Sequence, residues 1–295
     1  MSATPGVARL SILAAALLFS TGGAAIKGTA LNTFQVAGAR SGVAAIALLL
    51  FLPAARRGFG LDLLPAALAY AATLVCFVGA TKLTTSAAAI FLQSTAPLWV
   101  LVLSPLLLRE SIRRIDLVFV AAAAAGLLLV FLGSQDAGRT APHPALGNAV
   151  ALASGLFYAL LMVSMRRLAR AGDGPDRSLA ATVLGNFLAF AACLPLALPV
   201  AGATVRDAGA IVYLGVVQIG LAYWLFSRGL RSLPALEVSL LVLVEPLLNP
   251  LWTWLLYDER PSPLALMGGA TMIVALAARA VMDRRARTAD LPPPD

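Results

Sequence analysis

The segment Phe91–Glu110, FLQSTAPLWVLVLSPLLLRE, decides the fold because the chain repeats its pattern. It is an apolar run with a proline, Pro97, inside it and a glutamate at its last position. The segment Leu240–Glu259, LLVLVEPLLNPLWTWLLYDE, aligns with it at an offset of 149 residues, which places Pro246 on Pro97 and the two final glutamates on each other. Two landmarks at one offset predict an internal repeat, and a repeat changes how the whole chain is interpreted.

The composition predicts a membrane protein. Of the 295 residues, 60% are hydrophobic and only 12% are charged, and the mean hydropathy is +0.88. Soluble domains carry roughly 25% charged residues, so this chain lacks the polar surface that a soluble fold of its length needs. The two cysteines, Cys76 and Cys193, lie in apolar runs, and the one histidine, His143, lies in a proline-rich loop. These residues predict neither a disulfide framework nor a metal site.

Charge-free runs predict an all-α polytopic protein with ten transmembrane helices, because about 20 helical residues cross a bilayer. The first run also resembles a secretory signal peptide, an alternative that would leave nine spans and break the pattern of five spans in each half. The predicted spans are 10–27, 34–52, 63–81, 86–107, 115–133, 146–165, 178–199, 208–227, 236–257 and 263–282.

The distribution of basic residues predicts that both termini are cytoplasmic. With the N-terminus inside, the inner segments hold sixteen Lys and Arg residues and the outer segments hold five, as the positive-inside rule requires. The net charge of +8 is therefore explained by membrane topology, and we expect no nucleic-acid partner. Residues 283–295, with three arginines and three consecutive prolines, are predicted to be a cytoplasmic tail without a fold.

Each half contains an odd number of spans, so the two halves are predicted to be inverted with respect to each other. Inverted repeats recur in secondary transporters, where the substrate site lies near the bilayer midplane between the repeats. We therefore expect two inverted five-helix repeats around a central cavity. The predicted division is 1–134 for the first repeat, 135–145 for an outer connecting loop and 146–282 for the second repeat.

These segments resemble the EamA branch of the drug/metabolite transporter superfamily, over nearly the whole chain. The resemblance rests on Pro97 and Glu110 followed by Gly126 in the first half, and on Glu245-Pro246 followed by Glu259 and Gly268-Gly269 in the second. It implies a ten-helix bundle with a central cavity and no cofactor. It also implies a transporter in the cell (inner) membrane that exports amino acids, metabolites or drugs. The motifs identify the family better than they identify the solute.

Glu245 is the most informative candidate residue. It lies about ten residues into the ninth span, roughly 15 Å deep, where a carboxylate has to be paired, protonated or exposed to a wet cavity. It either binds a proton or a cationic group of the solute, or holds neighbouring helices together. Arg40, in the second span, either pairs with a carboxylate, for which Glu245 is a candidate of similar depth, or snorkels outward or contacts the solute, with structural pairing favoured. Gly38 and Gly42 flank it with the GxxxG spacing that permits close helix approach.

Further polar and aromatic side chains in the spans are candidate solute ligands, with helix packing as the alternative for each. Gln93 and Ser94 lie beside the Pro97 kink, whereas the aligned positions in the second half are apolar. Aromatic rings at depth can stack on an aromatic or cationic solute. The further candidates are Trp99, Gln218 and Tyr223.

The remaining glutamates are predicted to have supporting roles. Glu237 lies two turns before Glu245 and is interpreted either as a surface partner of Arg231 or as a second carboxylate on the same helix face. Glu110 and Glu259 are predicted to bond the start of the next helix, with a gating role as the alternative. Ser262-Pro263 is predicted to begin the tenth helix, since proline favours the first helical position.

Three functions remain open after these observations. The first is a secondary transporter of a small-molecule solute, with proton or ion coupling through Glu245 and with the direction of transport and the oligomeric state unassigned. The second is a non-transporting membrane subunit or regulator. The third, a membrane-embedded enzyme, lacks support because the spans contain no histidine and no HExxH or GxGD motif. The sequence also lacks a GxxxxGK[ST] loop, the motif that would predict ATP binding.

Overall fold

A computed structural model describes residues 4–108, 114–133, 140–170, 175–230, 232–233 and 235–289. Within these ranges the chain forms helices and turns and no strand. In the first half the α-helices are α1 (Pro5–Ser20), α2 (Gly22–Lys27), α3 (Thr33–Phe51), α4 (Leu64–Leu83), α5 (Ser86–Gln93), α6 (Ala96–Leu108) and α7 (Arg114–Gly133). In the second half they are α8 (Pro144–Arg170), α9 (Pro175–Ala197), α10 (Val205–Val212), α11 (Ala222–Leu230), α12 (Ala235–Val242), α13 (Val244–Tyr257) and α14 (Pro263–Ala289).

Six of the described helical segments are each long and apolar enough to cross a membrane. Three shorter apolar helices lie at Ser86–Val100, Val118–Gly133 and Pro263–Ala278. The chain is therefore an all-helical, multi-pass membrane protein. The six segments are Pro5–Lys27, Thr33–Phe51, Leu61–Leu83, Pro144–Met165, Arg177–Ala197 and Val205–Gly229.

The fourth and ninth predicted spans are each broken next to a proline. The break between α5 and α6 lies at Ser94 and Thr95, and the break between α12 and α13 lies at Leu243, the residue that aligns with Ser94. Pro97 and Pro246 have no backbone N–H to donate to the carbonyl four residues earlier, and their rings clash with that carbonyl. The predicted kinks are therefore confirmed, and they occur at matching positions in the two halves.

Small residues set the closest helix contacts. A Cβ atom at Gly38 would lie 2.9 Å from the Cβ of Cys193, which confirms that the GxxxG spacing brings α3 close to α9. Gly126 and Gly268 bring α7 and α14 together, and a Cβ atom at Gly268 would lie 2.5 Å from the carbonyl oxygen of Gly126. These two landmark glycines of the two halves therefore pack against each other.

Between α10 and α11 the chain forms a π-helical segment, Tyr213–Leu221. π-Helical turns are rare and occur frequently at functional sites. Gly215 lets this segment approach α3, since a Cβ atom there would lie 2.9 Å from the carbonyl oxygen of Arg40. The irregular segment is thus packed directly against the helix that carries Arg40.

Helix α14 continues through residue 289. An unfolded tail is predicted from residue 283, and this prediction is wrong for 283–289, which are helical. Arginine and alanine, which dominate this stretch, are good helix formers, so they extend a helix that packing has already nucleated. The proline-containing residues 290–295 lie outside the described residues. The predicted start of this helix is confirmed, because the hydroxyl oxygen of Ser262 accepts a hydrogen bond of 3.1 Å from the backbone N–H of Ala265.

Candidate functional site

Polar side chains from six helices meet in the middle of the bundle. We name this group the central cluster. Four of its members lie on helices that contact one another directly across the two halves, since α4 packs on both α8 and α9 and α3 packs on α9. The members are Arg40 on α3, Tyr70 on α4, Tyr158 on α8, Asn186 on α9, Tyr223 on α11 and Glu245 on α13.

The three tyrosines connect the two halves of the cluster. The hydroxyl of Tyr70 acts electrostatically on the Tyr223 hydroxyl and lies near Asn186, whose Oδ1 atom is buried without a hydrogen-bond partner. The rings of Tyr70 and Tyr223 are 6.4 Å apart between centroids. Phe19 packs edge-on against Tyr223, with 5.3 Å between the ring centroids. The cluster therefore combines hydroxyl groups with aromatic faces, as small-molecule sites commonly do.

Arg40 is the cation of the central cluster. Its residue is only 2% exposed, and its Nε and Nη1 atoms are buried without a hydrogen-bond partner. The nearest groups that act on its charge are the hydroxyls of Tyr70 and Tyr223. Leaving a buried guanidinium without an anion costs several kcal/mol, so this position is energetically demanding.

Glu245 provides the carboxyl group of the central cluster. It acts electrostatically on Tyr158 and Tyr223. No ion pair joins Glu245 to Arg40 among the ion pairs formed by described residues, so the predicted pair is not formed. The physical reason is lateral position, because α3 and α13 are not among the helix pairs that pack extensively.

Two members of the central cluster are not fully buried. Tyr158 faces Glu245, Tyr70 and Tyr223 from another helix, yet it is 38% exposed. Glu245 is also partly exposed. These two side chains are therefore accessible, whereas Arg40 and Tyr70 are 2% and 4% exposed.

The candidate residues of the fourth span contact the helix that carries Tyr158. The amide nitrogen of Gln93 donates a 2.7 Å hydrogen bond to the hydroxyl of Ser154, which lies one helical turn from Tyr158 on the same face of α8. The hydroxyl of Ser94 instead donates to the carbonyl of Ile90 in its own helix, at 2.7 Å. Gln93 therefore lies next to the central cluster, whereas the hydroxyl of Ser94 is used locally.

The two remaining candidates of the sequence prediction are Gln218 and Trp99. Gln218, on the π-helical segment, donates to the carbonyl of Phe19 at 3.3 Å and leaves its Oε1 atom buried without a partner. It is thus adjacent to the cluster through Phe19. Trp99 lies on α6, and its indole Nε1 is buried without a hydrogen-bond partner.

Glu237 lies at the end of the bundle and outside the central cluster. It forms an ion pair with Arg9, with 2.5 Å between Oε1 and Nε. Its side chain is 31% exposed and that of Arg9 is 56% exposed. The predicted surface ion pair is therefore present, but its cation comes from the first helix; the predicted partner, Arg231, lies outside the described residues.

Glu259 does not bond the start of the following helix, α14. Its Oε1 atom accepts a 2.6 Å hydrogen bond from the backbone N–H of Ser86, at the start of α5, and its Oε2 atom lies 3.0 Å from Nζ of Lys27. The predicted role as a helix-start acceptor thus holds for a different helix, in the other half of the chain. Glu110 lies outside the described residues.

A groove of about 520 Å³ on the surface between α7 and α14 is a poorer candidate for a solute site. Apart from Thr271 its lining is apolar, and the Thr271 hydroxyl donates to the carbonyl of Met267 in its own helix. An apolar surface of this kind suits lipid chains in a membrane. Among the described residues, no group of three or more His, Cys, Asp or Glu could hold a metal ion.

Phe19, Tyr70 and Tyr158 are not among the site residues predicted from the sequence. A signal was available, because Tyr70 and Tyr158 lie inside predicted spans and away from their ends, whereas interfacial tyrosines concentrate at membrane boundaries. The same criterion selects Tyr223. A tyrosine hydroxyl at this depth needs a partner, and in this fold the three hydroxyls lie near one another.

The sequence matches the EamA-like transporter family over residues 7–132 and 145–278. It is 33% identical over 87 residues to the uncharacterized transporter YwfM of Bacillus subtilis (strain 168), a match that covers 30% of this chain and 29% of that protein. It is 29% identical over 171 residues to the uncharacterized transporter YetK of the same organism, covering 55% of this chain and 49% of that protein. The chain thus aligns with less than half the length of either relative.

A solved crystal structure has the same fold, with a TM-score of 0.63 over 96% of this chain and 99% of the other chain, at 22% sequence identity. The family match is stronger than either pairwise relative because it covers most of both halves. Since that match includes the broken helices and the residues of the central cluster, the chain belongs to the EamA-like transporter family, within the drug/metabolite transporter superfamily.

Proposed function

We propose that this protein is a secondary transporter that exports small organic solutes through a cleft at the central cluster. The carrying observation is that Tyr158 and Glu245 interact across the bundle and still remain accessible. Aromatic faces, hydroxyls and two opposite charges at this depth form a polar site in an otherwise apolar protein. Intramembrane charges of this kind mark solute or ion pathways.

The transport pathway is proposed to lie between two inverted five-helix repeats, residues 1–134 and 146–282, joined by a loop at 135–145. The contacts between helices support this division, because exchanging the halves converts one set of contacts into another that is also present. The contact of α4 with α8 has its counterpart in α11 with α1, and the contact of α4 with α9 in the π-helical segment with α3. The pairs α3 with α9 and α7 with α14 are their own counterparts.

The protein is proposed to lie in the cell inner membrane and to cross it ten times. Both of its termini are proposed to be cytoplasmic. The broken pairs α5–α6 and α12–α13 each count as one span, as do α1–α2 and α10–α11. Support comes from the excess of basic residues on one predicted side, sixteen against five. Addition of a membrane-impermeant biotin reagent to intact cells, with single cysteines at either terminus, tests this orientation.

Proton coupling through Glu245 is part of the proposal. A carboxylate in a partly accessible intramembrane cleft can exchange a proton with the cleft and lose its charge as helices close around it. Tyr158 and Tyr223, which lie near it, provide hydroxyls that can accept or donate as its protonation changes.

The experiment is efflux from proteoliposomes under an imposed pH gradient, with a panel of amino acids, organic acids, amines and neutral metabolites. We expect the imposed proton gradient to drive transport of one class of solute by the wild type. In Glu245→Gln we expect the transport rate to fall at least about tenfold and to lose most of its pH dependence. Asp62→Asn is the matched control, since Asp62 is a half-exposed carboxylate at the end of the bundle. Normal pH-dependent efflux by Glu245→Gln would rule out the coupling, and failure of the wild type to move any solute would favour a non-transporting subunit.

A further inference from the structure

We propose that the solute carries a carboxylate group and that the guanidinium of Arg40 binds it in the central cluster. The inference rests on the proposed function in so far as the ligand is a transported solute. The binding site itself does not depend on transport. The inference concerns a residue that was expected to pair with Glu245, and no such ion pair is present among the described residues.

Arg40 has the properties of a binding group and lacks those of a structural cation. Structural buried cations are paired, as Lys27 is with Glu259 at 3.0 Å. Arg40 is also buried, but its Nε and Nη1 atoms have no hydrogen-bond partner. Each of these atoms carries an N–H group that an oxyanion can accept from, and such charge-assisted hydrogen bonds are roughly twice as strong as neutral ones.

The backbone around Arg40 holds the guanidinium in place. Gly38 and Gly42 pack α3 tightly against Cys193 and Phe190 of α9, and Gly215 packs the π-helical segment against the Arg40 carbonyl. The side chain therefore projects from a helix that has little freedom to move away. Such preorganisation lowers the entropic cost of binding an anion.

The neighbouring groups determine which anion fits. The hydroxyls of Tyr70 and Tyr223, which act on the charge of Arg40, can donate to a bound oxyanion. One guanidinium balances one negative charge, and Glu245 in the same cluster disfavours a second, so a carboxylate fits better than a phosphate dianion. Phe19, packed on Tyr223, provides an apolar wall for the organic part of the solute.

The first test uses the wild-type protein alone. Thermal melting of the purified full chain in detergent is measured with hexanoate, benzoate and phenylacetate, each compared with its primary amide, which has nearly the same shape but no charge. We expect at least one carboxylate to raise the melting temperature and its amide to leave it unchanged. The proposal is overturned if amides stabilise as well as carboxylates, or if no carboxylate stabilises.

The second test places the effect at Arg40. For the stabilising carboxylate we expect Arg40→Gln to weaken binding roughly 10- to 100-fold, the range that a charge-assisted hydrogen-bonded contact supplies. Arg40→Lys should be intermediate, because lysine keeps the charge but loses the planar fork. Arg228→Gln is the matched control, since Arg228 lies over the Trp224 ring at 4.7 Å. Unchanged affinity in Arg40→Gln would make Arg40 structural, and the carboxylate–amide comparison decides the question if that variant does not fold.

The outcomes separate this inference from the proposed transport activity. Arg40-dependent binding of carboxylates without flux in proteoliposomes would overturn the transport proposal and leave the carboxylate site intact. Conversely, flux of neutral or cationic solutes that Arg40→Gln leaves unchanged would overturn the carboxylate site and leave transport intact.

Discussion

The two ends of the helical bundle are each held by an ion pair between the halves of the chain, but one pair is buried and the other is exposed. At one end, Lys27 of the first half lies 3.0 Å from Glu259 of the second, and the side chains are 6% and 3% exposed. At the other, Arg9 pairs with Glu237, and the side chains are 56% and 31% exposed. We name these the Lys27 end and the Arg9 end.

The Lys27 end satisfies its charges with backbone groups. Nζ of Lys27 donates to the carbonyl oxygen of Thr84 at 2.7 Å and also to that of Thr140. Glu259 accepts from the N–H of Ser86, where the positive end of the α5 dipole favours an anion. Nearby, the hydroxyl of Ser86 donates to the side-chain oxygen of Asn249. Four segments distant in sequence are thus tied together out of contact with solvent.

The contrast between the two pairs shows that opening the Lys27 end costs more free energy than opening the Arg9 end. The exposed pair at the Arg9 end can break and re-form in water, since exposed pairs contribute little. Opening the Lys27 end requires separating two buried charges or supplying water to both. A transporter that alternates between its two faces therefore needs a compensating event to open the Lys27 end, and binding in the central cluster is the event the proposed function provides.

The largest effect is expected from breaking the buried pair on one side. Lys27→Met leaves the Glu259 carboxylate buried without its cation, which costs about 3–5 kcal/mol, so we expect a large fall in the melting temperature in detergent. The double variant Lys27→Met, Glu259→Gln should recover most of the loss, because glutamine removes the unpaired charge and still accepts from the Ser86 N–H. A double variant whose loss is the sum of the two single losses would show that the pair itself contributes nothing.

A smaller effect is expected from crowding the Lys27 end without touching its charges. A Cβ atom at Gly147 would lie 2.6 Å from the backbone nitrogen of Thr84 and 2.8 Å from the carbonyl carbon of Leu83. Backbone atoms cannot rotate away, so Gly147→Ala has to push α8 from α4, at a cost of about 1–3 kcal/mol.

The matched control for Gly147→Ala is at the Arg9 end. Gly6 has no atom within 4 Å of a built Cβ, so Gly6→Ala should gain roughly 0.5–1 kcal/mol from helix propensity alone. Thermal melting of both variants checks the pair. Equal melting temperatures would mean that the two ends are equally tolerant and would remove the contrast between them.

Much of the fold could be predicted because its determinants are local in sequence. Pro97 and Pro246 break their helices through their own missing N–H groups, and Ser262 and Pro263 begin α14 through local capping. The approach of α3 to α9 at Gly38 also follows from small residues spaced one turn apart. None of these predictions requires knowing which helices are neighbours.

The partners of the charged residues could not be predicted, since a partner depends on lateral position in the bundle. Depth along the span suggested that Arg40 could meet Glu245, but α3 and α13 do not pack extensively. Glu259 was assigned to the helix that follows it, whereas its partners Ser86 and Lys27 lie in the other half of the chain. A sequence specifies how deep a residue lies far more directly than it specifies what lies beside it.

The central cluster illustrates both cases. Glu245 and Tyr223 were selected by depth and are members of it. Tyr70 and Tyr158 lie at similar depth, but a tyrosine on an apolar helix is consistent with ordinary packing. Only the arrangement of α4, α8 and α11 brings the three hydroxyls together, and that arrangement is a tertiary property.

The smallest change in melting temperature is expected from breaking the ion pair at the Arg9 end, and this change should depend on salt concentration. Arg9→Gln removes an exposed pair that ions in solution already screen, so the fall in melting temperature should be several-fold smaller than that of Lys27→Met. Raising the salt concentration from about 0.05 M to about 1 M should abolish the difference between Arg9→Gln and the wild type, because the Debye length falls from over 10 Å to about 3 Å. The same salt series should leave the effect of Lys27→Met nearly unchanged, since mobile ions do not reach a pair buried between helices. A salt-sensitive Lys27→Met effect would mean that water and ions enter the Lys27 end in solution, and the two ends would then differ in the number of contacts but not in kind.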